Sequence, residues 1–210
     1  MIIFGAGGFA KQLIPSLERL GVLQLCVFYD DVSDGSNSFI HQNFKVLKTE
    51  EALSAEIAKG NDEFVIALGN PATRKSMYEK AIGFNAKPRS IVDSQTSISN
   101  FGLDLGEGVV ILEDVIIEPC NSIGKGTLLN LRVMVTHDCR VGNFCEISPG
   151  SMLLGGCEVG DNTFVGAGSI ILPKVKVGKN CVIGAGSVVN KNLPDHSHVA
   201  GAPAKPLHLK

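Results

Sequence analysis

No charge of one sign dominates this sequence: 19 Lys and Arg face 21 Asp and Glu, for a formal net charge of −2. That balance leaves no basic footprint for nucleic acid or an anionic membrane surface. No apolar run approaches the ~18 residues that a membrane-spanning helix requires, so no span is expected. The opening Met1-Ile2-Ile3-Phe4-Gly5 lacks a charged leader and reads as a first strand rather than a signal peptide. A cytoplasmic protein is the resulting expectation. Histidine is scarce, at five residues in 210, which limits both metal sites and imidazole catalysis. The length suits one large or two small domains.

What is present is a strict period. From Leu105 to Val189 every sixth residue is aliphatic, fifteen times without a slip of phase. Neither a helix nor a strand predicts a period of six, whereas a parallel β-helix with short strands and regular corners does. The following residue is glycine seven times (Gly106, Gly124, Gly142, Gly160, Gly166, Gly178 and Gly184), as suits a corner with close backbone approach. Four residues after each aliphatic position sits a small side chain, including Asn121, Thr127, Cys139, Cys145, Cys157 and Cys181, which fits a narrow interior. Five turns of three hexads, at ~4.8 Å between strands, would span roughly 24 Å. Residues 91–104, with Ile91 and Ile98 out of phase, read as a first irregular coil. Residues 190–210, with Pro194 and Pro203, read as an irregular cap against edge growth.

Six cysteines raise the question of disulfides or zinc. Four of them fall on the small inward position, where free cysteine acts as a compact hydrophobe. A zinc site from His137, Cys139 and Cys145 is disfavoured, because the histidine should face out and the cysteines in. No metal is expected.

Residues 1–90 follow a different grammar, with strands at Ile2–Phe4, 25–29, near Val46 and at 63–68. These alternate with helices to about Leu20, at 50–58 and from Pro71 to about Ile82. That alternation predicts a small parallel α/β sheet, with Pro15 a possible break in the first helix. Gly5-x-Gly7-x-x-Ala10 after a strand is a reduced dinucleotide-fold fingerprint. Its backbone could approach a pyrophosphate at a helix N-terminus, and Asp30 or Asp31 after the second strand could meet a ribose or base. Such turns also serve tight packing alone. Barely 90 residues hold half of a full dinucleotide fold, so a mononucleotide or nucleotide-sugar fits better than NAD. The division expected is residues 1–90, a Rossmann-like α/β domain, and residues 91–210, a parallel β-helix with a C-terminal cap.

The hexapeptide prism, preceded by Gly5-Ala6-Gly7-Gly8 and followed by Gly201-Ala202-Pro203-Ala204-Lys205, resembles the left-handed β-helix acyltransferases. More narrowly, it resembles the sugar acetyltransferases of bacterial surface-glycan synthesis. That group spans the bacillosamine and perosamine N-acetyltransferases and the sialic acid O-acetyltransferases. The most specific feature is Asn130-x6-His137-Asp138 in phase with the repeat. The resemblance implies left-handedness, a homotrimer, acetyl-CoA as co-substrate and a nucleotide-linked amino sugar as acceptor. It implies His137 as catalytic base with Asp138 as the acid beside it, and Asn130 near the acceptor group. Gly7, Gly8, Phe9, Asp30, Asp31 and Gly69 match nucleotide-sugar contacts, with Arg74 as a phosphate partner. Ala167 and Ala185 match positions lining the acetyl-CoA groove. Glu146 falls at that groove where a relative has histidine.

The chemistry suits these residue types. An ammonium is unreactive until a base removes its proton, and histidine can do so near neutral pH. A carboxylate on the other ring nitrogen fixes the tautomer, and corner N–H groups could hold the oxyanion. His41, His196, His198 and His208 lie outside the repeat and read as solvated or structural. Sugar O-acetylation on the same scaffold is the alternative reaction. A β-helix carbonic anhydrase lacks the three histidines it would need, and a non-catalytic scaffold leaves His137-Asp138 unexplained.

Overall fold

The computed structural model describes residues 1–33 and 43–207. Its first part contains β1 (Ile2–Phe4), α1 (Gly8–Arg19), β2 (Val27–Tyr29), β3 (Val46–Leu47), α2 (Glu50–Ala58), β4 (Glu63–Ile66), α3 (Pro71–Gly83) and β5 (Lys87–Pro88). The strands form one parallel sheet in the order β3-β2-β1-β4-β5. Strand order reverses beside β1, so a crevice opens at the carboxyl ends of β1 and β4. Leu25, expected within the second strand, instead ends a 3-10 turn and is 68% exposed. Its neighbours find ladder partners only from Val27, opposite Ile2. Pro15 does not break α1, whose buried Ala10, Leu13 and Leu17 hold the helix against the core. Thr49 and Asn70 cap α2 and α3 by accepting bonds from Ala52 N and Thr73 N, and Pro71 occupies the first turn of α3.

The second part is a three-sided prism. Each of the fifteen phased aliphatic residues is the second residue of a two-residue strand, from Asp104–Leu105 to Val188–Val189. Strands pair in parallel with those 18 residues away, as Met134 with Ile116 and Met152. Residues 91–104, expected to be irregular, are regular: β6 (Ile91–Val92), β7 (Ser97–Ile98) and β8 (Asp104–Leu105) join the three sheets in register. Their apparent phase error is one extra residue at the corner between Ile98 and Leu105. The cap is likewise partly regular, because His198–Ala200 adds a parallel strand beside Val182–Ile183 and pairs with an antiparallel strand Lys205–Pro206.

Two positions of each hexad make the corner. The left-handed residue lies three after the aliphatic one and includes Asp114, Asp138, Phe144, Asn162 and Asn180 as well as glycines. The glycine one after the aliphatic residue has a different cause: a Cβ on Gly124 would lie 2.5 Å from the carbonyl carbon of Gly142 in the next coil. Inside, the small residues are buried, and hydroxyls use the narrow space for hydrogen bonds. Thr127, Ser151, Thr163 and Ser169 donate to the carbonyls of Gly142, Gly166, Gly178 and Gly184 at 2.8 to 3.0 Å, so these buried hydroxyls are paired.

One face of the prism is covered by the α/β domain. Ala10, Leu13 and Leu17 of α1 share a core with Ile91, Val110, Leu112 and Leu128, and Tyr78 of α3 stacks edge-on against Phe144. Between them Arg74, 2% exposed, ties the domains together. Its Nε donates to Leu68 O, Nη1 to Cys145 O, and Nη2 to Gly69 O and the Glu146 carboxylate. Replacing Arg74 by Met would strand a buried carboxylate, and we expect a loss of about 3–5 kcal/mol in denaturant unfolding. Gly124→Ala, which forces one coil off the next, should cost about 1–3 kcal/mol in the same measurement.

Candidate active site

His137 lies on the corner between the strands Met134–Val135 and Arg140–Val141. The face covered by α1 and α3 belongs to the third sheet, so this corner points away from the chain's own α/β domain. His137 and Asp138 are both exposed. Asp138 takes the left-handed position of the corner, with φ of 62°. That turn sets its Oδ2 2.8 Å from His137 Nδ1. The bond to Asp138 raises the imidazole above its ordinary pKa, assisted by the charge of Glu118, and leaves Nε2 as the ring's outward nitrogen.

The coils above and below fix this corner. His137 N donates to Glu118 Oε2 at 3.0 Å, and Asp138 N donates to Pro119 O. Asn121 clamps the same turn, donating to Glu118 O and accepting from Cys139 N. Above, Gly156 N donates to His137 O, and a Cβ on Gly155 would lie 3.1 Å from His137 Nε2. The absence of a side chain at 155 is what leaves room for the ring. Glu118 and Gly155 escaped the sequence reading, although a period of 18 residues, three hexads per coil, stacks Gly155 on residue 137 and places Glu118 one residue off that register.

The other expected residues fall elsewhere. Asn130 is buried at a different corner, where its Oδ1 accepts from Gln12 Nε2 and Leu131 N. Its side chain also lies close enough to Glu146 to favour that carboxylate's charged form. Within one chain it therefore belongs to the domain junction, not to the surroundings of His137. Glu146 is 5% exposed and paired with Arg74, and burial pushes its carboxyl above the ordinary range. It does not face an open groove, which corrects its expected contact with acetyl-CoA. Arg74 is corrected too: four of its five N–H groups serve protein acceptors, so the buried guanidinium is an internal tie rather than a free phosphate partner. Gly69 packs against Glu146 at the same junction. Ala167 and Ala185 are exposed and stacked one coil apart, with Gly186 N donating to Ala167 O. Among the described residues their own N–H groups have no protein acceptor.

The glycine turn borders a cavity of about 290 Å³ at the switch point of the sheet, lined by Gly5, Ala6, Gly7, Asp30, Asp31 and Thr73 among others. Gly5 has φ of 109°, and a Cβ there would strike Ala67 O. Gly7 caps α1 with no side-chain acceptor, and a Cβ on Gly7 or Gly8 would meet nothing within 4 Å. Phe9 is half-buried against the α1 core. Asp30 shapes the turn by accepting from Val32 N, Ser33 N and Ala6 N, which together hold it below the usual carboxylate range despite its partial burial. Asp31 accepts from Tyr29 OH and Lys80 Nζ, and Lys80 holds it low as well. A larger groove of about 770 Å³ runs between α3 and the prism past Lys75, Asn162 and Phe164, on a side that His137 does not reach.

Cys139, Cys145, Cys157 and Cys181 are free and buried in the prism, while His137 is exposed, so the three-residue zinc arrangement cannot converge. His196 is exposed and His198 half-buried in the cap. His41 and His208 lie outside the described residues.

Comparison with known proteins agrees with this geometry. Residues 1–81 match the PglD N-terminal domain, and residues 156–191 match the bacterial transferase hexapeptide, six repeats. GDP-perosamine N-acetyltransferase of Escherichia coli O157:H7 is 30% identical over 159 residues, covering 73% of this chain and 69% of that protein. A histidine-to-alanine variant of GDP-perosamine N-acetyltransferase from Caulobacter crescentus, solved with CoA and GDP-perosamine, superposes with a TM-score of 0.91. It is 30% identical, and the match covers 99% of this chain and 96% of that one. The acetyltransferase domain of PglB from Neisseria gonorrhoeae FA1090, solved with acetyl coenzyme A, gives 0.88 at 29% identity, with 98% of each chain covered. The α/β domain set on a left-handed parallel β-helix, and a relative matched over more than two-thirds of its length, place this chain in the hexapeptide-repeat sugar acetyltransferases.

Proposed function

We propose that the protein transfers the acetyl group of acetyl-CoA to the amino group of a nucleotide-linked sugar, with His137 as general base. The observation that carries this reading is the exposed His137–Asp138 pair, 2.8 Å apart, on a corner where Gly155 keeps Nε2 open. The relatives solved with CoA and GDP-perosamine, or with acetyl coenzyme A, favour this reaction over sugar O-acetylation.

In this reading Nε2 takes a proton from the acceptor ammonium, and the freed amine attacks the thioester carbon. Asp138 holds Nδ1–H, so the ring accepts at Nε2 and the imidazolium that forms is stabilised. The corner N–H groups next to the ring, Gly155 first among them, suit the oxyanion of the tetrahedral intermediate. When the C–N bond has formed and the C–S bond breaks, the surplus proton of the attacking nitrogen passes to the departing CoA thiolate, and the proton that His137 took from the ammonium leaves to solvent. The unpaired N–H groups of Ala167 and Ala185 suit the amides of a pantetheine arm, and no step calls for a metal. At the other end, Gly7 and Gly8 leave the uncapped N-terminus of α1 open to a diphosphate. The cavity between the glycine turn and Asp30-Asp31 suits the nucleoside.

Within one chain this crevice and His137 lie on different sides of the prism, so the reading calls for a second copy, and we propose the homotrimer. The outward row of the sheet that leads into His137 is apolar above Ser97: Ile116, Met134, Met152, Ile170 and Val188. Ile116 and Met152 are 38% and 40% exposed. The next sheet instead presents Asp104, Ser122, Arg140, Glu158 and Lys176. An apolar strip of this kind marks an association surface.

Thiol release from acetyl-CoA, with GDP-, UDP-, dTDP- and CMP-linked amino and hydroxy sugars as acceptors, tests the reaction. His137→Ala should lower kcat by about 10²–10⁴-fold, and full activity in that variant would remove the mechanism. The neutral imidazole is the active form, so kcat/KM should fall as pH drops through the raised pKa of His137. Asp138→Asn removes the main cause of that rise, so its acid limb should move to lower pH while kcat decreases. Met152→Glu should reduce the mass measured by sedimentation from trimer to monomer and abolish activity with His137 intact.

A further inference from the structure

Glu118 belongs neither to the repeat's interior nor to the His–Asp pair, yet its carboxylate faces the same corner. Its Oε2 accepts the backbone N–H of His137 at 3.0 Å, and its main-chain oxygen accepts from Asn121, the residue that also clamps Cys139 N. Among the described residues no Lys or Arg forms an ion pair with Glu118, and Asp138 is paired with the imidazole alone. The charged groups beside the ring are therefore Asp138 and Glu118, while the buried Cys139 thiol meets only the main-chain oxygen of His137 from inside the prism. The site combines two carboxylates with one imidazole, a negative corner on an otherwise balanced molecule.

We propose that Glu118 is a positioning residue for the transfer, and that with Asp138 it makes this corner select a cationic acceptor. Resting on the reading of His137 as base, this extends it to how the acceptor arrives and which acceptors are refused. An amino sugar reaches the site as an ammonium and must be bound in that form before it is deprotonated. A carboxylate near the base attracts the cation and keeps the imidazole basic enough to take the proton. The same charge repels a sugar acid, which carries a carboxylate of its own. Local electrostatics then select an amine over an anionic hydroxy sugar, with no hydrogen bond to the sugar ring required. A second carboxylate near the ring also acts in the same direction as Asp138 on the imidazole's charge.

Glu118→Gln separates charge from architecture, because its side-chain carbonyl still accepts the His137 N–H. Steady-state kinetics would use the full-length protein, acetyl-CoA and the nucleotide-linked amino sugar that the wild type acetylates fastest. The expected result is a rise in KM for the amino sugar of about 3–10-fold, the size of one screened charge–charge contact. The KM for acetyl-CoA should stay unchanged, and the acid limb of kcat/KM should move to lower pH. The KM difference from wild type should shrink at high salt. Glu118→Asp, which keeps the charge on a shorter arm, should recover part of the KM. A Gln variant with wild-type KM and an unmoved acid limb overturns the proposal, as does an equal loss in both substrates' KM, which would mark a purely structural role. These outcomes differ from failure of the underlying reading. In that case His137→Ala retains full activity, or the wild type acetylates no amino sugar.

Discussion

Every feature of the prism depends on one constraint: each coil must rest on the one below through backbone hydrogen bonds from strands only two residues long. So few ladder bonds per side hold only if successive corners superpose closely, and the spacing of about 4.8 Å leaves no room for a Cβ at the contact points. That is why glycine recurs after the aliphatic residue at Gly106, Gly124 and Gly142, where a methyl group would lie 2.4 to 2.5 Å from the next coil. The same closeness explains the small buried column of Thr, Ser, Cys, Asn and Val. Hydroxyls there bond glycine carbonyls across the interior, so a narrow core holds polar groups without leaving them unpaired.

The rigid stack is also what gives the proposed active corner its geometry. The left-handed turn at Asp138 directs its carboxylate to His137 Nδ1, and the coils on either side supply Glu118 and Gly155 at fixed heights. A site held by three successive coils needs no induced rearrangement to orient its ring. Its electrostatics are open to solvent, so Asp138 and Glu118 adjust the imidazole without the large shift that burial brings to the Cys145 thiol, which is pushed up to about 12.

The α/β domain is bound to the prism by a different kind of contact. An aliphatic patch from α1, the Tyr78–Phe144 stack and a buried polar network of Gln12, Asn130, Glu146 and Arg74 fix one face against another. Buried polar groups of this kind specify one arrangement more than they add stability. Here that arrangement holds the glycine crevice and the His137 corner on different sides of one chain, which gives oligomerisation a part in the proposed chemistry.

The sequence by itself determined the prism, because a period of six is written in every hexad and each hexad meets the same neighbours. It determined the parallel α/β sheet through the alternation of its elements, and it singled out His137-Asp138 through their phase. Tertiary structure decided what no local pattern carries. The one-residue insertion before Leu105 disguised a regular first coil, because phase is counted along the chain whereas register is set between coils. Arg74, Glu146 and Asn130 were expected as ligand contacts because they match such positions in the acetyltransferases that the chain resembles. They became an internal tie because α3 and the prism close over them, and a side chain's partners are fixed by which surfaces meet, not by its own position in the chain.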